Sequence, residues 1–557
     1  MISDKKNVSL LADLFVKKGL SDIIISPGSR NAPIVIAFAG KPGVNALSIV
    51  DERSAGFFAI GMALQSEKTV AVACTSGSAV LNYAPAIAEA YYQKVPLLVL
   101  TADRPPDLIE RGYGQIIRQK EVFKNYIKAS FELPVDIENE VLFEKTVQMV
   151  NEAINLTQYP EPGPVHVNIP FREPLYGVCD EPINSKVIDA DENPLDLEPA
   201  FDDFAVEMEK HSKIMILAGQ QKFNKNLNNL ISDIVAKKIV LLSETTSNLY
   251  NENYIDCIDN VVSTISEKEA SAFSPDFLLT FGGQVVSKMV KKFLRDHPPR
   301  THWHISPSGE QRDTYFRLEK TIAVKPEIFF QQLQHIIPEN SLTYFNTWLS
   351  RKNSLVQKRD EYLRNLPFTD MTVFNFLLRN LPENTNLHLG NSTPVRYSQL
   401  FGSSNKYTYY SNRGVSGIDG QVSTAAGAAF KNSGLHVLIT GDLGFLYDSN
   451  GLMNHYLKPN LKIIVINNAG GSIFRFIDGP AKSGHLEEFF EAKHSWKAKK
   501  ITEAFGLKYY AACNETELEK SFHEFMNDTQ SPAVLEICTP NELNAEVLKD
   551  YFAYLKS

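Results

Sequence analysis

The chain has 557 residues, with 56 Lys+Arg against 65 Asp+Glu and a formal charge of −9; 43% of residues are hydrophobic and 22% charged. That composition excludes intrinsic disorder, collagen and a small disulfide scaffold, and it lacks the global basic field that grips nucleic acid. At roughly 150 residues per domain the length allows three or four domains, and the surplus of acid is on its face unfriendly to anionic ligands.

The N-terminus, Met1-Ile2-Ser3-Asp4, leads into an amphipathic helix with Val8, Leu11, Leu14 and Phe15 on one face, without the apolar core and cleavage site of a signal peptide. No run approaches the length of a membrane span. The five cysteines, Cys74, Cys179, Cys257, Cys513 and Cys538, show no metal-ligand spacing and read as reduced thiols of a cytoplasmic protein.

The first third alternates strands with helices. Short apolar runs at Ile23-Ile24-Ile25, Val70 to Ala73 and Leu97 to Leu100 end in Ser26-Pro27-Gly28, Thr75-Ser76-Gly77 and Thr101-Ala102-Asp103, with a helical pattern at Ser54 to Leu64. Continuous apolar strands between helices predict a doubly wound parallel α/β sheet, whose ligands sit beyond the carboxyl ends of the strands. An acidic, proline-containing stretch from Asp180 to Glu209 follows and reads as a solvated linker. Strands at Ile214 to Leu217, Ile239 to Leu242 and Phe277 to Thr280 mark a second α/β unit ending near Pro338, and a helix at Trp348 to Leu363 leads to a third. The expected division is 1–180, a linker at 181–210, 211–340 and 341–557.

The third unit repeats the first. Ile25 to Ser29 parallels His388 to Ser392, Asp51 to Gly56 parallels Ile418 to Ser423, and Val70 to Thr75 parallels Val437 to Asp442. Glu52 to Thr75 and Asp419 to Asp442 are both 23 positions apart. One topology with different residues at the strand ends implies one ligand held between two halves.

In the third unit, Gly441-Asp442-Leu443 ends one strand and Asn467-Asn468 ends the next, followed by Gly470-Gly471. An Asp carboxylate and an Asn carbonyl are hard oxygen donors suited to magnesium. Taken separately, Gly-Asp and Asn-Asn are ordinary turn residues; their pairing at one sheet edge favours a site. Glu52 has two readings as well, a helix N-terminal carboxylate favoured by the dipole or an acid at a matched functional position.

These motifs resemble those of thiamine-diphosphate-dependent enzymes, with Leu443 in place of a third glycine. The resemblance implies three α/β domains, for the pyrimidine, a middle fold and the diphosphate. It makes Asp442, Asn468 and the carbonyl of Gly470 ligands of magnesium, with manganese as a substitute, and Gly441, Leu443 and Ile473 cofactor contacts. Glu52 would favour the imino tautomer of the aminopyrimidine, which generates the ylid. Ile418 would be the wedge that bends the cofactor.

From about Leu10 to Tyr551 the chain is similar to one family in particular, the 2-succinyl-5-enolpyruvyl-6-hydroxy-3-cyclohexene-1-carboxylate synthases of menaquinone biosynthesis. The segments that carry this are Ile25 to Arg30, Asp51 to Gly56, Thr75 to Ala79, Thr101 to Pro106, Gly390 to Ser392, Asn412 to Gly420, Gly441 to Leu443 and Asn467 to Phe474. The implied reaction decarboxylates 2-oxoglutarate and adds the succinyl-semialdehyde carbanion to isochorismate in a conjugate, Stetter-like step. Both substrates are dicarboxylates, which guanidinium forks hold well. Arg396 with Ser392 would hold the distal carboxylate of 2-oxoglutarate, with Arg413 close by. Ser29, Arg30, Arg104, Gln115 and Lys288 match the isochorismate side, and Phe474 with Ile473 would form an apolar wall. Lys288 lies in a basic run, Ser287 to Lys292, that also reads as a solvated helix face, and Met289 stands where some relatives carry a second basic residue. Active sites shared between subunits imply a homodimer, or a dimer of dimers. The competing readings are an acetolactate synthase or 2-oxoacid decarboxylase, against which the paired Arg396 and Arg413 stand, and a catalytically silent scaffold on the same fold, against which Glu52, Asp442 and Asn468 stand.

Overall fold

Strands that are apolar along their whole length must be covered on both faces, and the chain meets that demand three times. The structure, a computed structural model, describes residues 2–181, 183–190, 203–204, 206–336, 341–476 and 479–557. In the first unit the strands of the main sheet are β1 (Asp22–Ile25), β2 (Asn45–Ser48), β3 (Val70–Cys74), β4 (Leu97–Asp103), β5 (Ser130–Glu132) and β6 (Val165–Pro170), arranged β2-β1-β3-β4-β6-β5, and a short antiparallel pair, Ile2–Ser3 with Val178–Cys179, lies outside it. The middle unit holds β7 (Ile214–Ala218), β8 (Val240–Leu242), β9 (Phe277–Phe281), β10 (Thr301–Ile305) and β11 (Leu318–Ile322), in the order β8-β7-β9-β10-β11. The last unit holds β12 (Thr385–Leu389), β13 (Tyr407–Tyr410), β14 (His436–Gly441), β15 (Leu461–Asn467), β16 (Lys508–Ala512) and β17 (Ala533–Cys538). Their order, β13-β12-β14-β15-β17-β16, is that of the first unit strand for strand, and every pairing in the three sheets is parallel.

The N-terminal helix spans Lys6–Lys17 and buries Val8, Leu11, Leu14 and Phe15 completely. The helix expected at Ser54 to Leu64 runs Glu52–Ser66, because Asp51 caps it by accepting the N–H groups of Arg53 (2.9 Å) and Ser54 (3.3 Å). The one expected at Trp348 to Leu363 runs Leu342–Tyr362 from a Ser341 cap.

The acidic stretch read as a solvated linker is packed at both of its described ends. Ser185 donates to Asp13 (2.7 Å), Asn151 exchanges hydrogen bonds with the backbone of Lys186 and Ile188, and so 183–190 lies as a strap on the first unit. Phe204 sits in the middle unit's core, edge-on to Phe277, Trp303 and Phe329. Pro182, Pro194, Pro199 and the boundary near Pro338 lie outside the described residues.

The apolar cores cross the unit boundaries. One runs from the helix Glu52–Ser66 into the helix Gln421–Lys431 and the last sheet, and another joins the middle sheet to the last. The helices Glu52–Ser66 and Gln421–Lys431 approach through glycines: a Cβ at Gly61 would lie 2.0 Å from the Thr424 carbonyl oxygen, and one at Gly427 2.0 Å from that of Phe58. Lys431 to Asp22 (2.6 Å) and Asn450 to Asp51 (2.7 Å) close the edges of this contact.

Candidate functional site

Strand ends and the turns that leave them place nearly all of the expected residues, as parallel sheets do. In the first unit Ser29 and Arg30 follow β1, Thr75 to Gly77 follow β3 and Arg104 follows β4. Arg104 donates to Ser76 Oγ (3.4 Å) and to the Gln115 carbonyl (3.3 Å), and Gln115 returns a bond to the Ser76 carbonyl (3.2 Å). Arg30 is buried and bonds the Phe171 carbonyl and Glu173. Burial and the neighbouring Arg30 pull the Arg104 guanidinium below its ordinary pKa, the mark of two cations set close together. Ser29 is exposed beside them. Glu52 opens its helix, half-buried, and accepts from Asn82 Nδ2 (3.1 Å).

The last unit carries the hard-oxygen set. Asp442 is 4% exposed, follows β14, and accepts the N–H of Leu443 (2.6 Å) and Gly470 (3.0 Å), while His494 Nε2 stands 3.4 Å from its carboxylate. Asn468 follows β15 and spends its amide N–H groups on Asp370 (3.1 Å) and Ser472 (2.9 Å), which leaves its carbonyl oxygen as the donor for a cation. Asp370 is fully buried and pushed up to about 6 by that burial. A Cβ built on Gly441 meets nothing within 4 Å, so the strand end beside Asp442 opens on free space. Among the described residues no three His, Cys, Asp or Glu side chains gather as a metal site. One carboxylate, one amide and one backbone carbonyl suit magnesium, which takes few protein ligands and completes its shell with phosphate and water. The residues present therefore fit a magnesium-held diphosphate.

Arg396, Ser392 and Arg413 form a third group. Arg413 is 8% exposed and donates Nη1 to Asn391 Oδ1 (2.7 Å); the Nε atoms of both Arg396 and Arg413 are buried without a hydrogen-bond partner. Burial and Arg396 lower the Arg413 pKa, so these cations also sit close together. Unspent guanidinium donors in a buried place fit a carboxylate ligand. Ser392 (φ 76°), Gln115 (φ 60°) and Ala469 (φ 64°) hold left-handed backbone that costs non-glycine residues energy and that clusters at functional sites.

Lys288 lines a cavity of about 200 Å³ with Met289, Arg396, Ile473, Leu548 and Phe552, which brings it to the Arg396 group; Ser29, Arg30, Arg104 and Gln115 are not among that cavity's lining. The basic run is not a uniformly solvated face. Lys292 pairs outward with Asp296, whereas burial lowers the pKa of Lys291, and the charges of Arg413 and Arg396 add to that shift. Ile418 is 37% exposed, an apolar side chain beside open space, and Phe474 lies 5.8 Å from Phe490 ring to ring.

Sequence reasoning missed Glu89, Glu244, Asp370 and His494, and it quoted Asn391 within a motif without giving it a role. Glu244 of the middle unit is fully buried, accepts the N–H groups of Val286 (2.6 Å) and Ser287 (2.7 Å), and is pushed up to about 7 by burial. It thereby holds the start of the helix Lys288–Asp296. The one cue to such residues was a lone acid in an apolar context, as in Ile87-Ala88-Glu89-Ala90.

Three family models match the chain in order. They are described as the N-terminal TPP binding domain of thiamine pyrophosphate enzymes (residues 6–122), the middle domain of thiamine pyrophosphate (200–389) and the C-terminal TPP binding domain of thiamine pyrophosphate enzymes (390–537). Similar proteins include 2-succinyl-5-enolpyruvyl-6-hydroxy-3-cyclohexene-1-carboxylate synthases. That of Christiangramia forsetii is 39% identical with 98% of each chain covered, and that of Flavobacterium psychrophilum is 40% identical over 97% of this chain and 96% of its own. That of Bacteroides thetaiotaomicron is 35% identical across 100% of both.

Proposed function

The chain belongs to the 2-succinyl-5-enolpyruvyl-6-hydroxy-3-cyclohexene-1-carboxylate synthase family of thiamine-diphosphate enzymes, and from that premise we propose how its residues divide the work. It is an enzyme that forms this product in menaquinone biosynthesis, from 2-oxoglutarate and isochorismate, with thiamine diphosphate as cofactor. The cofactor, when bound, supplies the carbon nucleophile and electron sink that decarboxylation of a 2-oxoacid needs. Asp442, Asn468 and the Gly470 carbonyl would hold magnesium or manganese, and Gly441 and Leu443 would contact the cofactor beside them. Glu52 holds a proton at the pyrimidine ring nitrogen, and Ile418 with Ile473 shape the cofactor's apolar seat.

Ser392, Arg396 and Arg413 take the distal carboxylate of 2-oxoglutarate. Ser29, Arg30, Arg104 and Gln115 take isochorismate, Phe474 walls the site, and Lys288 adds positive charge from the middle unit. The observation that carries this division is the pair of guanidiniums, Arg413 buried and Arg396 half-buried, whose Nε atoms are both buried without a partner. Two such cations exceed the needs of pyruvate, with its single carboxylate.

Two copies of the chain complete the site, Glu52 of one facing Asp442 of the other. Exposed apolar side chains next to site residues support this: Val50 at 59% and Leu81 at 48% beside Glu52, and Val415 at 46% beside Ile418. A cytoplasmic setting accords with five free cysteines and with the absence, among the described residues, of any helix long and apolar enough to cross a membrane.

The test of the carboxylate assignment is Arg396→Ala. Loss of a charge-assisted contact is worth about 1.5–3 kcal/mol, so the Michaelis constant for 2-oxoglutarate rises roughly ten- to a hundred-fold while that for isochorismate holds. An unchanged 2-oxoglutarate constant removes Arg396 from this role.

A further inference from the structure

The loop Ser411 to Val415 carries Arg413, and it is held from the other two units. From the middle unit, Gln220 donates to the Ser411 carbonyl (2.7 Å) and Gln284 to the Gly414 carbonyl (2.5 Å). From the first unit, Gln93 donates to the Ser411 carbonyl (3.2 Å), and the carboxylate of Glu89 accepts the N–H groups of Gly414 (2.6 Å) and Val415 (2.7 Å). These last are the short bonds on the two residues that directly follow Arg413.

Glu89 is an expensive residue in that place. It is 1% exposed, on a helix (Ala84–Gln93) whose other buried positions are Ala86, Ile87 and Ala90. Desolvation pushes its carboxyl up to about 7, against the two backbone N–H bonds and the charge of Arg413, all of which favour the carboxylate. An alanine or leucine would pack there without that cost. Gly414 has been cut to fit, since a Cβ on it would lie 2.4 Å from the Glu89 carbonyl oxygen and 3.0 Å from the carboxylate. An acid and a glycine on different units have thus been shaped to each other, and what their contact fixes is the backbone that aims the Arg413 side chain.

We propose that Glu89 is a positioning residue for Arg413, acting from the first unit through the Gly414 and Val415 amides to set the guanidinium for the 2-oxoglutarate carboxylate. This rests on the reading of Arg413 as a carboxylate-holding group. Two N–H groups converge on two carboxylate oxygens, a pattern glutamine cannot reproduce, because its NH2 opposes one of them.

The test is a double-mutant cycle on the full-length enzyme loaded with thiamine diphosphate and magnesium. Glu89→Ala and Arg413→Ala are measured singly and together, with Glu89→Gln as the conservative variant. Misaiming a positioned group costs up to about a hundred-fold, so Glu89→Ala should raise the 2-oxoglutarate Michaelis constant roughly ten-fold or more, with Glu89→Gln between it and the parent. Thiamine-diphosphate affinity by calorimetry should stay within about two-fold, which a general loss of structure would not allow. In the Arg413→Ala background the second substitution should add less than about two-fold, because its route is already gone.

The proposal is overturned if Arg413→Ala raises that constant and neither Glu89 variant does, or if the two effects multiply. Should Glu89→Ala fold poorly, Glu89→Gln carries the same comparison. If Arg413→Ala itself leaves the constant unchanged, the assignment of Arg413 falls, and the role of Glu89 with it, an outcome distinct from failure at Glu89 alone.

Discussion

Asp51 decides where Glu52 stands. One of its oxygens caps the helix and the other accepts Asn450 Nδ2 from the last unit, so Glu52 becomes the first helical residue at a junction of two units. Its carboxyl is placed by backbone geometry more than by contacts of its own. Replacing it by glutamine keeps that geometry and removes the acid. Proton transfer of this kind is worth about 10²–10⁴-fold, so Glu52→Gln should bind thiamine diphosphate in a calorimeter yet lose at least about a hundred-fold in turnover. Near-normal turnover would strip Glu52 of the role. Residues such as Glu52, Asp442 and Asn468 were legible in the sequence because they follow apolar runs, and a strand end is visible one-dimensionally. Glu89 and Asp370 were not, because each lies inside or at the start of a helix whose period marks it as core, and only three-dimensional packing brings a backbone amide or a side-chain amide to its carboxylate.

The helices Glu52–Ser66 and Gln421–Lys431 show the same division at the next scale. Their helical character is readable, since each is rich in alanine and apolar residues, but their mutual contact is not. The glycines decide it. Gly427→Ala gains up to about 1 kcal/mol of helix propensity. The new Cβ, however, would meet the Phe58 carbonyl at 2.0 Å, a backbone atom that no rotamer change can move aside. Forcing such groups apart costs typically 1–3 kcal/mol and here shifts a helix that carries Glu52, so the clash wins. Gly427→Ala should lower the urea midpoint of unfolding and reduce turnover together; a raised midpoint would show the helices to be more loosely packed than described.

For the whole molecule, the repeat was the informative signal. Matching strand ends in the first and last thirds predicted one topology twice, and the sheets have identical strand order. The acidic stretch misled, because composition reports charge and not the packing of Ser185 on Asp13 or of Phe204 on Phe277. Net charge misled in the same way: a chain at −9 gathers Arg30 with Arg104 and Arg396 with Arg413. The proposed sharing of the site between copies predicts that sedimentation equilibrium will find a dimer or a dimer of dimers under assay conditions, and a fully active monomer would refute it.

In the proposed division, the paired Arg396 and Arg413 and a magnesium-held diphosphate would together serve the joining of two dicarboxylates. Incubation with 2-oxoglutarate, isochorismate, thiamine diphosphate and magnesium, with the product identified by mass spectrometry, tests that directly. The expected result is carbon dioxide and 2-succinyl-5-enolpyruvyl-6-hydroxy-3-cyclohexene-1-carboxylate in equal amounts, with pyruvate a poor replacement for 2-oxoglutarate. Preferential turnover of pyruvate, or consumption of 2-oxoglutarate without addition to isochorismate, would contradict it.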